Sequence, residues 1–481
     1  MALALIVVLV VAAVLAWLSE RLDVRWPQWI SLVVLAATAA WTLAVWLAGA
    51  PVETIELEWI PRFGIALVLA MDGLSLLMVL LTLVLGMVAV VSSWTEIGER
   101  QGFFQLNLLL TLAGVVGVFT ALDLFLFFVF WEVMLVPMYL LIAIWGHEQR
   151  GYASMKFFLF TQISGLLLLA GILGLVFHHQ ALSGVLTFDY RELLGAAAAL
   201  PAWIMVGFLA AFLTKLPSVP VHTWLPDAHT QAPTAGSVIL AGIMLKTGAY
   251  GLIRFVVPLF PDAAMELRYP LMLLGAVSVV YGGYLAFAQE DFKRLVAYSS
   301  ISHMGFVLLG VFAWNHVAVQ GAVVQMVAHG FSTAALFMMA GALQERLHTR
   351  ELSRMGGLWI HAPRMGAVTL FFVVASLGMP GLGNFVGEFM VLLGAFAVNV
   401  ELTVVAAFGL VVAATYALLL MQRSFQGTPP ADAPAMRDFG ARELSVMVAL
   451  MAALVGLGIH PQPVLDLSAP VVEALGAGTR P

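Results

Sequence analysis

The sequence predicts an all-α polytopic membrane protein with about 14 transmembrane helices, and three observations support this fold class. Hydrophobic residues make up 62% of the 481 residues and charged residues only 10%, where soluble domains carry about 25% charge. Mean hydropathy is +1.02. Nearly the whole chain consists of apolar stretches of about 18–28 residues, long enough to cross a hydrocarbon core about 30 Å thick. Helices are favoured because a backbone in lipid must satisfy its own hydrogen bonds.

The predicted spans follow one another without a linker or a second domain, so residues 1–481 are expected to form a single transmembrane unit. The first span has no basic residue before it and no small-residue cleavage site, which predicts a retained helix rather than a signal peptide. The segment 424–441, with Pro429, Pro430 and Pro434, is predicted to be a loop. The spans lie at about 2–18, 27–48, 73–94, 103–121, 123–145, 153–177, 200–229, 234–258, 269–288, 291–312, 316–343, 365–396, 401–422 and 442–459.

Basic residues predict how the chain is oriented. Of the 21 lysines and arginines, fourteen lie in or beside odd-numbered loops, counted from the N-terminus, and four lie in even-numbered loops or at Arg480 near the C-terminus. Lys215, Lys246 and Arg254 lie within spans. Cytoplasmic loops are enriched in Lys and Arg, so odd loops are expected in the cytoplasm of a bacterial inner membrane and both termini on the other side. Two termini on the same side require an even number of spans, and the predicted number of about 14 agrees with this.

Composition also excludes several function classes. The chain has no cysteine, so iron–sulfur clusters held by thiolates and disulfides within this chain are excluded. It has no GxGxxG or P-loop motif, and nucleotide chemistry is therefore expected in another chain. The net charge is −6 and no basic cluster is suited to nucleic acid.

Ionisable residues interrupt six of the predicted spans. A charged side chain at the centre of a bilayer costs at least about 2.5–3.5 kcal/mol, so these residues must face protein or water. Proton transfer requires groups that change protonation state, and burial disfavours the charged form while a nearby opposite charge restores it. The candidates are Glu132 in span 5, Lys215 in span 7, Lys246 in span 8, His303 in span 10, His329 in span 11 and Glu388 in span 12.

Each candidate also has a structural alternative. Glu132 and Lys215 would then be a buried ion pair that only holds helices together, although such pairs stabilise poorly compared with apolar packing. Lys246 would reach an interface with its long side chain, and Glu388 would bond a serine or a backbone amide. The two histidines would be hydrogen-bonded packing residues. Arg254, near a span end, is expected to be structural or interfacial.

Two spans are predicted to be broken helices. Pro217 and Pro220 follow Lys215 and remove backbone hydrogen bonds, while a glycine- and proline-rich stretch around Gly378 and Pro380 precedes Glu388. If spans 4–8 (about 103–258) and 9–13 (about 269–422) are two units, both breaks fall in the fourth helix of a unit. Five spans is an odd number, so the second unit would be inverted. Broken helices in corresponding halves point to a transport site.

Residues 215–255, KLPSVPVHTWLPDAHTQAPTAGSVILAGIMLKTGAYGLIRF, resemble the proton-translocating antiporter-like family shared by respiratory complex I and multisubunit cation/proton antiporters. The resemblance extends over essentially the whole chain. Three features favour one branch, NADH–quinone oxidoreductase: Glu388 where the related L and N subunits generally have lysine, the segments FVFWEVMLVPMYLLI and GMPGLGNFVGEF, and an end soon after span 14.

The resemblance implies roles for the candidates. Glu132 and Lys215 would be a coupling pair, Lys246, His303 and His329 a central relay, and Glu388 the group on the exit side. It implies that the partners are other membrane-arm subunits, especially the antiporter-like L and N subunits, together with membrane lipid. FMN, iron–sulfur clusters and quinone would be bound by other subunits and no cofactor by this chain.

Two alternatives share the same motifs: a subunit of a cation/proton antiporter without a redox partner, and a membrane arm of a hydrogenase-type complex. A scaffold that transports nothing would leave the central charges unexplained. No dense cluster of carboxylates suggests a sodium site, which favours H⁺ as the transported ion.

Overall fold

The computed structural model describes residues 1–49, 54–194, 201–428 and 436–477. Pro429, Pro430, Pro434 and Arg480 lie outside the described residues. The helices are α1 (Ala2–Ser19), α2 (Trp26–Leu47), α3 (Gly73–Ser92), α4 (Gln101–Thr120), α5 (Leu124–Val133), α6 (Leu135–Trp145), α7 (Arg150–Ser183), α8 (Tyr190–Leu193), α9 (Ala202–Lys215), α10 (Trp224–Gln231), α11 (Thr234–Ile239), α12 (Leu245–Gly251), α13 (Val257–Leu259), α14 (Pro261–Glu266), α15 (Arg268–Phe287), α16 (Phe292–Ala313), α17 (His316–Leu347), α18 (Leu358–His361), α19 (Pro363–Ser376), α20 (Gly383–Phe396), α21 (Val400–Phe425), α22 (Ala441–Ile459) and α23 (Gln462–Ala477). Two π-helical segments, Leu240–Met244 and Leu252–Val256, join α11, α12 and α13, and 3-10 turns occupy Pro61–Phe63 and Leu352–Arg354.

The arrangement of long helices confirms an all-α polytopic membrane protein. Within the described ranges, 12 helices are long and apolar enough to cross a membrane, if α5–α6 and α11–α13 are each counted as one. The two predicted spans that are not among these 12 are the two broken ones. One consists of α9 and α10, and the other of α19 and α20.

A hairpin and a helix near the C-terminus are among the elements that were not predicted from the sequence. Strands β1 (Ile55–Ile60) and β2 (Ile65–Leu69) form an antiparallel hairpin between α2 and α3. Helix α23 follows the last predicted span, and the Trp314 indole donates to the Leu475 carbonyl at 3.3 Å to attach it to the bundle. Both elements cover one end of the bundle, which we call the hairpin face.

Hydrogen bonds between loops define the opposite end, which we call the basic face. The loops after odd-numbered spans meet there, as the alternation of spans requires. The Glu20 carboxylate accepts the Gly102 N–H at 3.1 Å, and the Arg350 guanidinium donates to the Thr230 carbonyl at 2.8 Å. The loops of this face lie at about 20–25, 93–100, 146–149, 232–233, 288–291 and 348–357.

The two predicted five-helix units share a local pattern at opposite ends of the bundle. On the hairpin face, Asp123 precedes α5 and forms an isolated antiparallel bridge with Asp189, which lies before the broken fourth helix. On the basic face, Asp291 precedes α16 and forms the same bridge with Glu351. Each aspartate also caps the helix that follows it by accepting a backbone N–H at 2.9 Å. An inverted repeat predicts such a pair of matching features on opposite faces.

Candidate functional site

Lys246 lies in the interior of the bundle and contacts a histidine of another helix. Its Nζ is 2.7 Å from Nδ1 of His329 on α17 and donates to the Ala241 carbonyl at 2.6 Å. Ala241 belongs to the first π-helical segment, where the Leu245 N–H reaches the Leu240 carbonyl five residues back. Because Lys246 is fully buried, its contacts are with protein and not with the bilayer surface. The structure therefore excludes the snorkelling alternative for Lys246 in this conformation.

His329 continues this contact towards the second broken helix. The imidazole rings of His329 and His303 are 5.6 Å apart between centroids, in an edge-to-face arrangement. Nδ1 of His303 is 2.7 Å from Oε1 of Glu388, and the Gln325 amide donates to the same oxygen at 2.9 Å. The predicted residues Lys246, His329, His303 and Glu388 thus form one continuous buried line.

His303 has partners on both sides of its ring. Its Nε2 is 3.1 Å from the Ser376 hydroxyl and 3.2 Å from the Tyr416 hydroxyl. A carboxylate oxygen accepts at Nδ1, so a neutral His303 carries its proton there and accepts from a hydroxyl at Nε2. When it is doubly protonated, the hydroxyl groups can turn to accept. Both ring nitrogens of His303 therefore have hydrogen-bond partners in either protonation state, which suits a group that carries protons.

The break between α19 and α20 places the main chain beside Glu388. Gly378 has φ +81°, and a Cβ at this position would lie 3.1 Å from Glu388 Oε2. The left-handed backbone conformation favours glycine. Among the described residues, Glu388 Oε2 has no hydrogen-bond partner, so the carboxylate keeps one oxygen available.

The break after α9 follows the predicted prolines. Helix α9 ends at Lys215, and α10 begins at Trp224. The carbonyl of Leu213 accepts the N–H and the hydroxyl of Ser218, both at 3.0 Å, and the Thr214 carbonyl accepts the Trp224 indole N–H at 3.0 Å. These two carbonyl groups at the break thus have hydrogen-bond donors within the protein, as a broken helix in a membrane requires.

Lys215 and Glu132, the predicted coupling pair, are not in direct contact. In the part of the chain that the structure describes, no ion pair within 4.0 Å joins them, and Lys215 Nζ has no hydrogen-bond partner. The buried ammonium lies over the Trp131 ring, 5.2 Å from its centroid. Glu132 is half-buried, and its Oε1 has no hydrogen-bond partner among the described residues. The alternative of a buried ion pair that holds helices together does not describe this geometry.

The two lysines are connected through their helices. Gly248, two residues after Lys246, packs against the end of α9, and a Cβ on Gly248 would lie 3.2 Å from the carbonyl carbon of Lys215. The glycine therefore allows α12 to approach the backbone of the first broken helix closely. Arg254 has another role: it forms an ion pair with Asp72 at the hairpin face, in agreement with the structural role expected for it.

Several polar residues of the site were not predicted from the sequence. Ser376, Tyr416 and Gln325 surround the His303–Glu388 contact, but uncharged polar residues are common in membrane helices and give no distinct signal. His229 lies within the segment 215–255, yet the histidine itself was not selected. Lys293 was counted as a loop charge, although it is fully buried.

Comparisons with known proteins show which family the chain resembles. A family model described as NADH:quinone oxidoreductase/Mrp antiporter, transmembrane, matches residues 121–413. The chain is 53% identical over 485 residues to NADH-quinone oxidoreductase subunit M of Pseudomonas aeruginosa, covering 97% of this chain and 95% of the relative. A chain of respiratory complex I from Thermus thermophilus superposes with a TM-score of 0.89 at 30% identity and covers 99% of this chain and 100% of its own.

A chain of the Mrp complex from Dietzia sp. DQ12-45-1b has a TM-score of 0.87 at 22% identity, covering 98% of this chain and 97% of its own. At this level of identity the likeness concerns the fold alone.

Proposed function

The chain belongs to the NADH:quinone oxidoreductase/Mrp antiporter transmembrane family, and on this premise we propose that it is the M-type, proton-translocating membrane-arm subunit of an NADH–quinone oxidoreductase. The observation that carries the proposal is the buried line from Lys246 through His329 and His303 to Glu388. The identity of 53% to a subunit M over nearly the whole length supports the choice of subunit within the family.

Protons move along this line by transfer between neighbouring groups. The Lys246 ammonium gives a proton to Nδ1 of neutral His329, 2.7 Å away, and becomes a neutral amine. His329 then passes a proton to His303, whose ring packs edge to face against it with 5.6 Å between the centroids. His303 then gives its Nδ1 proton to the Glu388 carboxylate at 2.7 Å. Glu388 releases the proton on the exit side, and each donor is reprotonated from the group before it.

Glu132 and Lys215 act as the coupling pair in this scheme. The Lys215 ammonium is stabilised by the Trp131 ring and by the Glu132 charge when that carboxylate is near. When Glu132 moves away or is neutralised, burial favours the neutral amine and Lys215 loses its proton towards Lys246. The separation of the two side chains and their missing ion pair support this role, because a pair that opens and closes needs a stable open arrangement.

The proposal includes the surroundings of the chain. Spans 4–8 and 9–13 would be inverted repeats of a single transmembrane unit, with half-channels to opposite sides. FMN, iron–sulfur clusters and quinone would be bound by other subunits, and the neighbours in the membrane would be the antiporter-like L and N subunits and lipid. The basic face would be cytoplasmic in a bacterial inner membrane, because Lys and Arg mark cytoplasmic loops.

Two substitutions in the assembled complex test the function. Lys215→Ala and Lys246→Met should severely reduce the number of protons pumped per electron in proteoliposomes, while the complex still assembles. Glu401→Gln, an exposed change in the first turn of α21, is the control and should pump normally. A normal proton-to-electron ratio in either lysine variant contradicts the proposal.

A further inference from the structure

The break between α10 and α11, at the basic face, is surrounded by charged side chains. The Thr234 N–H, at the start of α11, donates to both carboxylate oxygens of Glu96 at 3.1 and 3.0 Å. The partial positive charge at a helix N-terminus favours an anion such as this carboxylate, and the partial negative charge at a C-terminus favours cations. At the end of α10, Thr230, Gln231 and Ala232 accept in turn from the Arg350 guanidinium at 2.8 Å, the His147 N–H at 2.9 Å and the Lys293 ammonium at 3.1 Å.

Lys293 is the unusual member of this group. It is fully buried, and among the described residues its Nζ has two hydrogen-bond partners, the Ala232 carbonyl and, at 3.3 Å, Nε2 of His147. Burial, together with the charges of Lys293 and Arg350, lowers the pKa of His147 to about 3. His147 is therefore neutral and accepts from Lys293. Within the described residues, no carboxylate lies within 4.0 Å of the Lys293 amine, so both of its contacts are with uncharged groups.

Glu96 connects this group to the surface. A small polar crevice lined by Thr95, Glu345, Arg442 and Glu443 leads from exposed side chains to the Glu96 carboxylate. Burial raises the pKa of Glu96 above its usual value, and the Lys293 charge and the Thr234 N–H only partly oppose this. Glu96 therefore takes up a proton from the crevice more readily than a glutamate in water.

His229 is close enough to both Lys293 and Lys246 for their charges to act on it. It is fully buried in α10 and stacks on the Phe337 ring at 4.4 Å between centroids and 14° between planes. Neither of its ring nitrogens has a hydrogen-bond partner among the described residues. The charges of Lys293 and Lys246 both act on the ring. A buried imidazole with both nitrogens open and two lysine charges acting on it is suited to carry a proton through bridging water.

We propose that Glu96 and Lys293 form a proton-loading site at the basic face, which passes protons through His229 to the line that begins at Lys246. The Lys293 ammonium gives a proton to His229 through water and becomes an amine. The protonated Glu96, which lies more than 4.0 Å from the Lys293 amine, then reprotonates it through water and returns to the carboxylate, which takes the next proton from the crevice. One proton moves inward, and both groups recover their starting forms. This inference rests on the proposed proton translocation.

Near-isosteric variants in the assembled complex separate proton transfer from helix capping. Glu96→Gln keeps an oxygen for the Thr234 N–H but does not titrate, and we expect pumping and coupled turnover to fall about tenfold. The matched control is Glu20→Gln, because Glu20 also accepts a helix-start N–H on the basic face, from Gly102, but has no part in the route. It should leave both rates unchanged. Infrared difference spectra should also lose a band of a protonated carboxyl group in Glu96→Gln only.

Lys293→Arg provides the second arm. Arginine keeps a cation for the Ala232 carbonyl but does not release its proton in proteins. If Lys293 carries protons, Lys293→Arg is impaired about tenfold, like Lys293→Met. If Lys293 only caps the break, Lys293→Arg pumps normally and the proposal is overturned. Equal pumping in Glu96→Gln and Glu20→Gln overturns it as well, even if the Lys293 variants do not assemble. Normal pumping in Lys246→Met would instead refute the proposed proton translocation. This result distinguishes a failure of the proposed function from a failure of the loading site alone.

Discussion

Nζ of Lys246 lies 2.7 Å from Nδ1 of His329, although the two residues are 83 positions apart in the sequence. The histidine is the only described hydrogen-bond partner of the amine besides the Ala241 carbonyl. Its other nitrogen, Nε2, has no partner in the described part of the chain. His329 is therefore held at one nitrogen by the donor and open at the other.

This relationship predicts the effect of His329→Asn. The asparagine side chain can still accept a hydrogen bond from Lys246 but does not bind a proton, so translocation should fall about tenfold without loss of the subunit from the complex. Proton pumping and quinone reduction measured in proteoliposomes check this. His316→Asn removes an exposed histidine at the start of the same helix and should have no effect. Pumping at the wild-type rate in His329→Asn would remove this residue from the relay.

A pair of glycine substitutions tests the contact between the second break and Glu388. Gly378 and Gly381 both have positive φ, +81° and +92°, so either change to alanine should cost about 1 kcal/mol or more in backbone strain. Only at Gly378 would the new Cβ meet Glu388 Oε2, at 3.1 Å, because nothing lies within 4 Å of a Cβ at Gly381. We expect similar losses of thermal stability in both variants, but reduced pumping per electron only in Gly378→Ala. Equal pumping in both would show that the carboxylate does not depend on this approach.

The pH dependence of stability tests Asp123, which caps α5 and accepts the Ala66 N–H of the hairpin at 3.0 Å. Burial raises the pKa of this carboxyl from 3.8 to about 6, in spite of the N–H groups that it accepts. The folded protein thus binds the proton more tightly than the unfolded chain does, and this contribution is lost as the pH rises from about 4 through about 6. Wild type should lose up to about 3 kcal/mol relative to Asp123→Asn over this interval.

Thermal unfolding of the wild type and of Asp123→Asn in detergent over a pH series measures this change in relative stability with pH. Asp72→Asn is a control of opposite sign on the same face. Burial raises the pKa of Asp72, but the Arg254 charge and hydrogen bonds from Arg254 and Ser75 outweigh it, so the pKa is held below its usual value. Wild type should therefore gain stability relative to Asp72→Asn as the pH rises. The same direction of drift in both variants would contradict the assignment for Asp123.

The positions of the broken helices and of the buried charges were predictable because the physics is local. Proline removes backbone hydrogen bonds wherever it stands, and an ionisable residue in an apolar span is costly whatever surrounds it. The contact of His303 with Glu388 was not predictable in detail, because it depends on how three helices pack. The sequence also could not give the distance between Glu132 and Lys215, which are not in direct contact here, since the distance between two side chains depends on the conformation.

Other features were missed for identifiable reasons. Residues 55–60, IELEWI, alternate apolar and acidic side chains, a strand signal that is easily overlooked in a chain dominated by long apolar runs. Lys293 was assigned to a loop because it is the second residue of α16, yet its side chain turns inward to Ala232. Counting charges along a sequence cannot show the direction of a side chain at a helix end.

The π-helical segments around α12 have a consequence for the register of this helix. One extra residue in a turn rotates everything beyond it by about 100° relative to an uninterrupted α-helix. The amine of Lys246 follows the first of these segments and contacts His329, while the guanidinium of Arg254, within the second, contacts Asp72. Deleting one residue from Leu240–Met244 would leave composition and hydropathy nearly unchanged but turn Lys246 away from His329. The angular phase of the helix, which no count of residue types records, thus determines where this amine lies.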